Sequence, residues 1–152
     1  MATIGVIQDE AGLAAIVRAA RRVAVVGMVD EARSDRPAYT IPAICRDHGM
    51  EVVPVNPRIE SSMGLAAYPD LASVPGSFDL VNVFRRSDSV EPHADEVLAL
   101  PPERRPRVFW MQSGIRNEAA AAKLAAAGIQ VVQDRCLGVY AARYRPRAAR
   151  AE

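Results

Sequence analysis

One short apolar run constrains the fold of this chain more than any other feature. Residues 23–26 read Val-Ala-Val-Val, and the run ends at Gly27. Because no polar residue alternates within it, both faces of the strand are expected to be buried, as in the middle of a parallel sheet. A glycine at the end of such a strand permits a tight turn and a close approach of a ligand to the backbone. The run therefore predicts an open α/β sheet with ligands bound beyond the carboxyl ends of its strands.

Strands alternate with helices along the rest of the chain. Further strands are predicted at residues 51–55, 80–84, 108–111 and 129–132. Helical spacing and capping residues predict helices at about 10–21, from 37 or 40 to 48, from 87 or 89 to 100, and 118–127. The alternation predicts one α/β domain over residues 1–152, with a core at about 10–140, a mostly parallel sheet and helices on both faces.

Three segments have weaker patterns. Residues 58–68 are expected to form a loop, and residues 134–144 to be irregular or weakly helical. The basic tail at about residues 145–152 is expected to fray. The start of the second helix depends on two prolines. Pro37 suits its first position but leaves Pro42 inside the helix, whereas a start capped by Thr40 places Pro42 in the first turn.

Composition excludes several classes of function. The 152 residues carry 19 Lys plus Arg and 18 Asp plus Glu, so a formal net charge of +1 gives no support for nucleic-acid or membrane binding. No apolar run has transmembrane length, and no basic segment precedes the apolar residues of the first eight, so we expect a cytoplasmic protein. Its two cysteines, Cys45 and Cys136, are then reduced thiols, and they lack metal-ligand spacing with His48 and His93.

Polar clusters follow four of the predicted strands. They are Gly27-Met28-Val29, Asn56-Pro57-Arg58, Phe84-Arg85-Arg86 and Gln112-Ser113-Gly114. Since the carboxyl ends of parallel strands meet at one edge of a sheet, we expect these clusters to line one ligand crevice.

The clusters also restrict the kind of ligand. A dinucleotide dehydrogenase shows G-x-G-x-x-G after its first strand, and this chain has only Gly27 there. The second strand ends at Asn56-Pro57-Arg58, with a base where such enzymes carry an acid. An arginine attracts a ribose phosphate. The site therefore suits an adenosine with an extra phosphate, which is found at the 2′ position in NADP and the 3′ position in coenzyme A.

A series of motifs resembles a known family. These are Val25-Val26-Gly27, Arg36-Pro37-Ala38-Tyr39, Val53-Pro54-Val55-Asn56-Pro57, and the segments 79–86, 108–115 and 134–136. Over roughly residues 10–137 they resemble, in order, the stand-alone coenzyme A-binding proteins. Those proteins are relatives of the N-terminal domain of the succinyl-coenzyme A synthetase α subunit. The resemblance implies a Rossmann-like domain that binds coenzyme A or an acyl-coenzyme A along its strand ends.

The resemblance also implies a role for each cluster. Gly27, Met28 and Val29 would lie against the pyrophosphate; Val55, Asn56, Pro57 and Arg58 would border the adenosine; and Val83, Phe84 and Arg85 would line the pantetheine route, with Gln112 and Gly114 beside it. Arg36 is a further candidate for a phosphate contact. The family usually has serine where this chain has Val29, and Asp30 and Glu31 oppose an anion unless they face water.

The expected function is binding without catalysis. The synthetase relatives use a phosphorylated histidine on a further domain, together with partner subunits, and a chain of 152 residues is expected to have no room for these. We find no nucleophile–base pair and no paired carboxylates, predict an idle Cys136 and a solvated His93, and assign no catalytic residue. The predicted partner is coenzyme A, and any protein partner stays open. The alternative is an NADP-binding oxidoreductase or redox-sensing domain.

Overall fold

The five apolar runs pair into one parallel sheet. A computed structural model describes residues 5–148. Its strands are β1 (Arg22–Val26), β2 (Glu51–Val55), β3 (Ser61–Ser62), β4 (Leu65–Ala66), β5 (Leu80–Val83), β6 (Val108–Met111) and β7 (Gln130–Val132). The sheet has the order β2-β1-β5-β6-β7 with all neighbours parallel, while β3 and β4 form a separate antiparallel hairpin. The predicted α/β fold with a mostly parallel sheet is confirmed.

The direction of the chain through the sheet reverses between β1 and β5. From β1 the chain moves outward to β2, then returns past β1 to β5 and continues outward through β6 to β7. In open α/β sheets such a reversal leaves a crevice at the carboxyl ends of the two strands. The topology therefore places the crevice between the ends of β1 and β5.

Helices cover both faces of the sheet. They are α1 (Glu10–Ala19), α2 (Pro37–Asp47), α3 (Glu91–Ala99), α4 (Glu118–Ala126) and α5 (Leu137–Tyr144). Helices α1, α2 and α5 pack on one face, and α3 and α4 pack on the other. No described helix lies in the connection from β2 to β5. Its residues Leu71, Val74 and Phe78 pack on the same face of the sheet as α3 and α4. None of the described helices has the length and apolarity needed to cross a bilayer.

Several local predictions were wrong. Residues 58–68 contain the β3–β4 hairpin instead of a plain loop, and residues 137–144 form a regular helix. Neither Ser87 nor Ser89 caps α3, because a separate 3-10 turn occupies 87–89 and the N-cap of α3 is Val90. The Ser87 hydroxyl accepts instead from the Arg116 N–H at 3.1 Å. Of the tail, residues 149–152 lie outside the described residues.

Helix α2 begins at Pro37 and keeps Pro42 in its interior. A proline there lacks the N–H that the carbonyl four residues earlier would accept. The free carbonyl is that of Ala38, and the N–H of Val29 donates to it at 3.3 Å. The missing helical bond is thus replaced by one that holds the loop after β1 against the start of α2.

Cys45 lies on α2 at the contact with α5 and is almost completely buried. Burial raises the pKa of its thiol to about 12, and nearby Cys136 adds to the effect. The reactive thiolate is therefore scarce at neutral pH, and Cys45 acts as a small apolar side chain.

Arg145 forms hydrogen bonds to the C-terminal ends of two helices. Its Nε donates to the His48 carbonyl at 2.6 Å, and its Nη1 donates to the carbonyls of Val17 and Ala20 at 2.8 Å. The last carbonyls of a helix have no intrahelical partner, and a cation there also complements the helix dipole. Arg145 therefore caps both α1 and α2, so the described part of the tail, residues 145–148, is anchored at its start.

We predict that Arg145→Ala lowers the free energy of unfolding by about 2–3 kcal/mol, because several charge-assisted hydrogen bonds to half-buried carbonyls are lost. Arg147→Ala is the control, since Arg147 is exposed and its side chain bonds to no described residue; it should change stability by less than about 0.5 kcal/mol. Urea unfolding of the three proteins measures the difference. Equal free energies of unfolding in all three proteins would show that the caps made by Arg145 do not stabilise the fold.

Candidate functional site

Gly27 brings three strand ends together. Its N–H donates to the Val55 carbonyl at 2.8 Å, so β1 and β2 stay joined where the turn begins. Its φ is +85°, and a Cβ atom built there would overlap the carbonyl oxygen of Phe84. Only glycine tolerates both this backbone conformation and this approach. The position fixes the spacing between the ends of β1 and β5.

The loop after Gly27 contributes backbone groups instead of side chains. The Met28 side chain is fully buried in the core, its carbonyl accepts from Asn56 Nδ2 at 2.9 Å, and its N–H donates to no described residue. Val29 is half-buried, and its carbonyl accepts from the Ser62 hydroxyl at 2.8 Å. At the start of α2 the Ala38 N–H is also unpaired among the described residues. Free N–H groups at a helix N-terminus favour an anion.

The acidic residues of this loop are engaged elsewhere. Asp30 accepts from the Ala32 N–H at 3.2 Å and caps a 3-10 turn at 31–33. Glu31 accepts from the Met63 N–H at 2.7 Å and the Tyr39 hydroxyl at 2.9 Å, and these bonds lower the pKa of Glu31. The β3–β4 hairpin thus holds the Glu31 carboxylate. Arg36, the N-cap of α2, is exposed, and its side chain bonds to no described residue.

The segment after β2 is held by a buried amide. Asn56 is buried, and besides binding the Met28 carbonyl it accepts from the Arg58 N–H at 2.9 Å. This turn leaves Pro57 and the Arg58 side chain exposed just beyond Val55, which is itself buried. Asn56 therefore connects the two turns, and the Arg58 side chain is exposed at the end of β2.

A crevice of about 380 Å³ opens beside the ends of β1, β2 and β5. Its walls come from Val26, Val55, Pro57, Pro69, Asp70, Arg85, Pro92, His93 and Glu96. Arg58 lines an adjoining open depression of about 390 Å³. Burial lowers the pKa of the Arg85 guanidinium, and the nearby charge of Arg58 lowers it further. Two arginines thus converge beside a largely apolar crevice, while Arg86 pairs with Asp88 at 3.1 Å.

His93 and Glu96 form a pair that sequence reasoning missed. His93 was predicted to be solvated, but it is half-buried, and its Nδ1 lies 3.0 Å from Glu96 Oε1. The other Glu96 oxygen accepts from the Leu71 N–H at 2.6 Å, which fixes the carboxylate. The His-x-x-Glu spacing on a helix was the available signal, since residues three apart share a helix face.

The ends of β5 and β6 contribute buried polar groups. Val83 is fully buried and Phe84 is half-buried. The Gln112 Oε1 accepts from the Leu137 N–H at 3.2 Å and from Asn82 Nδ2 at 3.3 Å. Asn82 is fully buried, and its Oδ1 has no partner among the described residues. A buried amide normally has hydrogen-bond partners, so an asparagine inside an apolar strand points to a polar site nearby. The sequence-based prediction of the site made no use of this signal.

Gly114 lies at the far end of the same edge. It is exposed, has a φ of +83°, and its N–H donates to Asp134 Oδ1 at 2.6 Å. Cys136 follows at the N-cap of α5 and is half-buried. Within residues 5–148, no three His, Cys, Asp or Glu side chains converge as metal ligands. The edge therefore offers backbone donors, arginines and an apolar crevice.

We predict that Gly27→Ala destabilises the protein more than Gly128→Ala. Both glycines have φ near +85°, but a Cβ on Gly128 would meet nothing within 4 Å. The conformation alone costs about 1–2 kcal/mol, and the overlap at Gly27 adds about 1–3 kcal/mol. Urea unfolding measures both. Equal losses of stability in the two variants would mean that the end of β5 can shift away from residue 27 without cost.

Known proteins share this sequence and this fold. The family model described as the CoA binding domain matches residues 21–142. The uncharacterized protein YneT of Bacillus subtilis (strain 168) is 38% identical over 131 residues, which cover 86% of this chain and 93% of YneT. The solved structure of cell-free ID.343 from Thermus thermophilus has 34% identity and a TM-score of 0.80, and the match covers 90% of this chain and 99% of that one.

A larger enzyme shares the fold alone. The dinucleotide-forming acetyl-coenzyme A synthetase 1 of Ca. Korarchaeum cryptofilum has 20% identity and a TM-score of 0.58, and the match covers 72% of this chain and 25% of the enzyme. The Rossmann-like fold is thus confirmed. With the family model matching most of its length, this chain belongs to the CoA-binding domain family.

Proposed function

We propose that this chain binds coenzyme A or an acyl-coenzyme A along the carboxyl edge of its sheet and holds it without catalysing a reaction. The observation that carries the proposal is that Arg85 lines the crevice at the ends of β1 and β2, while Arg58, in the next depression, is near enough for its charge to lower the pKa of Arg85. Two neighbouring guanidinium groups repel one another, and an anion between them removes that cost. Family membership makes coenzyme A the expected anion.

The parts of the ligand are assigned by the chemistry of each strand end. The adenosine lies against Val55 and Pro57 with Asn56 behind them, and Arg58 pairs with the 3′-phosphate. The pyrophosphate lies against Gly27 and Val29 and receives the free N–H groups of Met28 and Ala38, with Arg36 at the rim. The pantetheine arm follows Val83, Phe84 and Arg85 towards Gln112 and Gly114. Val29 lacks the usual hydroxyl and its own N–H is bonded to the Ala38 carbonyl, so the Met28 N–H takes over this contact.

The chemistry of the edge supports binding more than turnover. The His93–Glu96 pair is the nearest arrangement to a general base and its orienting acid, but no Ser, Thr, Cys or Lys side chain lines its crevice, and Asp70 there accepts from the Ser73 N–H at 2.9 Å. The Cys136 thiol is farther along the edge, beyond the turn at Gly114. NADP remains the second candidate because it also carries an extra ribose phosphate, and the pair of arginines alone does not discriminate between the two.

We predict that coenzyme A binds more tightly than dephospho-coenzyme A and that Arg58→Ala reduces this difference in affinity. A charge-assisted contact is worth roughly 1.5–3 kcal/mol, and exposure of Arg58 favours the lower end, so the difference is about tenfold. Calorimetric titration of both ligands into both proteins measures it, and added salt should reduce it.

Arg86→Ala is the matched control, since it removes a neighbouring charge that Asp88 already neutralises. It should leave the difference in affinity between coenzyme A and dephospho-coenzyme A unchanged. Equal affinities in the unmutated protein would remove Arg58 from the site. Tighter binding of NADP than of coenzyme A would favour the alternative function.

We also predict that the purified chain forms no acyl-coenzyme A from an organic acid, coenzyme A and ATP. The synthetase relatives use a phosphorylated histidine on a further domain, whereas His93, which lines the crevice, is held by Glu96 at 3.0 Å. Mass spectrometry of the incubated mixture detects the thioester directly. Turnover that copurifies with the chain and weakens in Arg58→Ala would contradict the proposal.

A further inference from the structure

A second and larger crevice lies at the opposite edge of the sheet, where the strands begin. Its volume is about 890 Å³. Four separate segments surround it: the end of α1 with the start of β1, residues 77–79, residues 103–107 and the segment after α5. Six arginines line it, and we call it the arginine crevice: Arg18, Arg21, Arg22, Arg105, Arg107 and Arg145.

Three of these arginines have a structural role. Arg145 caps α1 and α2, and Arg105 donates to the carbonyls of Leu98 and Leu100 at the end of α3. Arg22 binds Glu51 at 2.6 Å and two carbonyls of the 75–77 segment. Helices of an α/β fold run opposite to the strands, so their C-termini gather at this edge and attract cations. The fold therefore accounts for half of the arginines.

The other three are not explained by the fold. Arg18, Arg21 and Arg107 are exposed, and their guanidinium groups form no hydrogen bond or salt bridge to any described residue. Arg18 lies 5.1 Å from the centroid of the Tyr144 ring. The carboxylate of Asp79 is already occupied, because both its oxygens accept backbone N–H groups, those of Arg21 and Arg22, at 2.8 Å.

The positive charge is local. Six arginines line the crevice with two carboxylates, Asp79 and Glu103, and Glu51 neutralises Arg22 from outside the lining, although the whole chain has a formal net charge of only +1. Like charges held together destabilise a protein unless something compensates them. The arginine crevice therefore has a charge surplus that the rest of the fold does not need.

We propose that the arginine crevice binds a compact polyanion carrying two or more phosphate groups. Guanidinium forks match phosphate oxygens in geometry as well as charge, and all six cations here are arginine. Residues from four segments meet around this half-open space, so a compact ligand can contact guanidinium groups from several segments at once. The site is at the opposite edge from the proposed coenzyme A site and does not depend on it.

Calorimetric titration with inorganic tripolyphosphate tests the proposal at about physiological ionic strength, where weak surface attraction is screened. The unmutated protein should bind the probe, and Arg21→Gln/Arg107→Gln should weaken binding at least about tenfold. Both substituted residues are exposed, and unchanged thermal unfolding of the variant shows that it is folded.

The matched control is Arg58→Gln/Arg85→Gln, which removes the same charge from the carboxyl edge. It should retain tripolyphosphate binding, whatever it does to coenzyme A binding, so the two proposals fail separately. The inference is overturned if the unmutated protein does not bind the probe, if both double variants lose affinity equally, or if only the control loses it. It is also overturned if a polyglutamate peptide binds the crevice more tightly than tripolyphosphate and depends on the same two arginines.

Discussion

The carbonyl oxygen of Phe84 occupies the space in which Gly27 would carry a side chain, and this contact sets the geometry of the carboxyl edge. Gly27 is also bonded to Val55, so the ends of β1, β2 and β5 are held at fixed spacing by a residue without a side chain. These are the strands around which the chain changes direction. The crevice beside them is thus a consequence of topology, and Gly27 lets the ends of β1 and β5 lie close together at its edge.

A chain of compensating hydrogen bonds then shapes the loop that follows. Pro42 cannot donate to Ala38, so Val29 does, and the Val29 carbonyl is occupied by Ser62 of the hairpin. Both backbone groups of Val29 are therefore used. Val29 stands where the family usually has serine, so the loop lacks a side-chain hydroxyl there. Its conformation does not depend on that hydroxyl, because it is held by backbone bonds of Val29. What remains for an anion is the backbone of Met28 and the start of α2.

The sheet could be predicted because its strands are continuous apolar runs, and such runs have few alternatives in a chain of this length. Helix α5 was harder, since Gly138, Val139 and Tyr140 have weak helix propensity. It forms because Gly138 packs against Ile41 and Tyr140 meets the Trp110 ring edge-on, contacts between residues far apart in sequence. The β3–β4 hairpin has two-residue strands, too short for any periodic signal.

Within the candidate site, sequence indicated the positions better than the roles. Asn56 was expected to border a ligand, and the structure shows it bonding two turns together. Met28 likewise has a core side chain and contributes only its backbone. Motifs identify which residues occupy a strand end, but hydrogen-bond partners from other segments decide which of their groups stay free. That information is absent from local sequence.

The two edges of the sheet differ in what their arginines do for the fold. At the amino edge Arg105 and Arg145 oppose the negative ends of helices, which stabilises the protein without any ligand. At the carboxyl edge the helix N-termini are already positive, and Arg58 and Arg85 add charge of the same sign. Burial and this repulsion both lower the pKa of Arg85, while the charge of Glu96 raises it, so Glu96 offsets part of the repulsion. An anion bound between Arg58 and Arg85 would offset the rest in the same way, which is why these two arginines matter to the proposed ligand more than as supports of the fold.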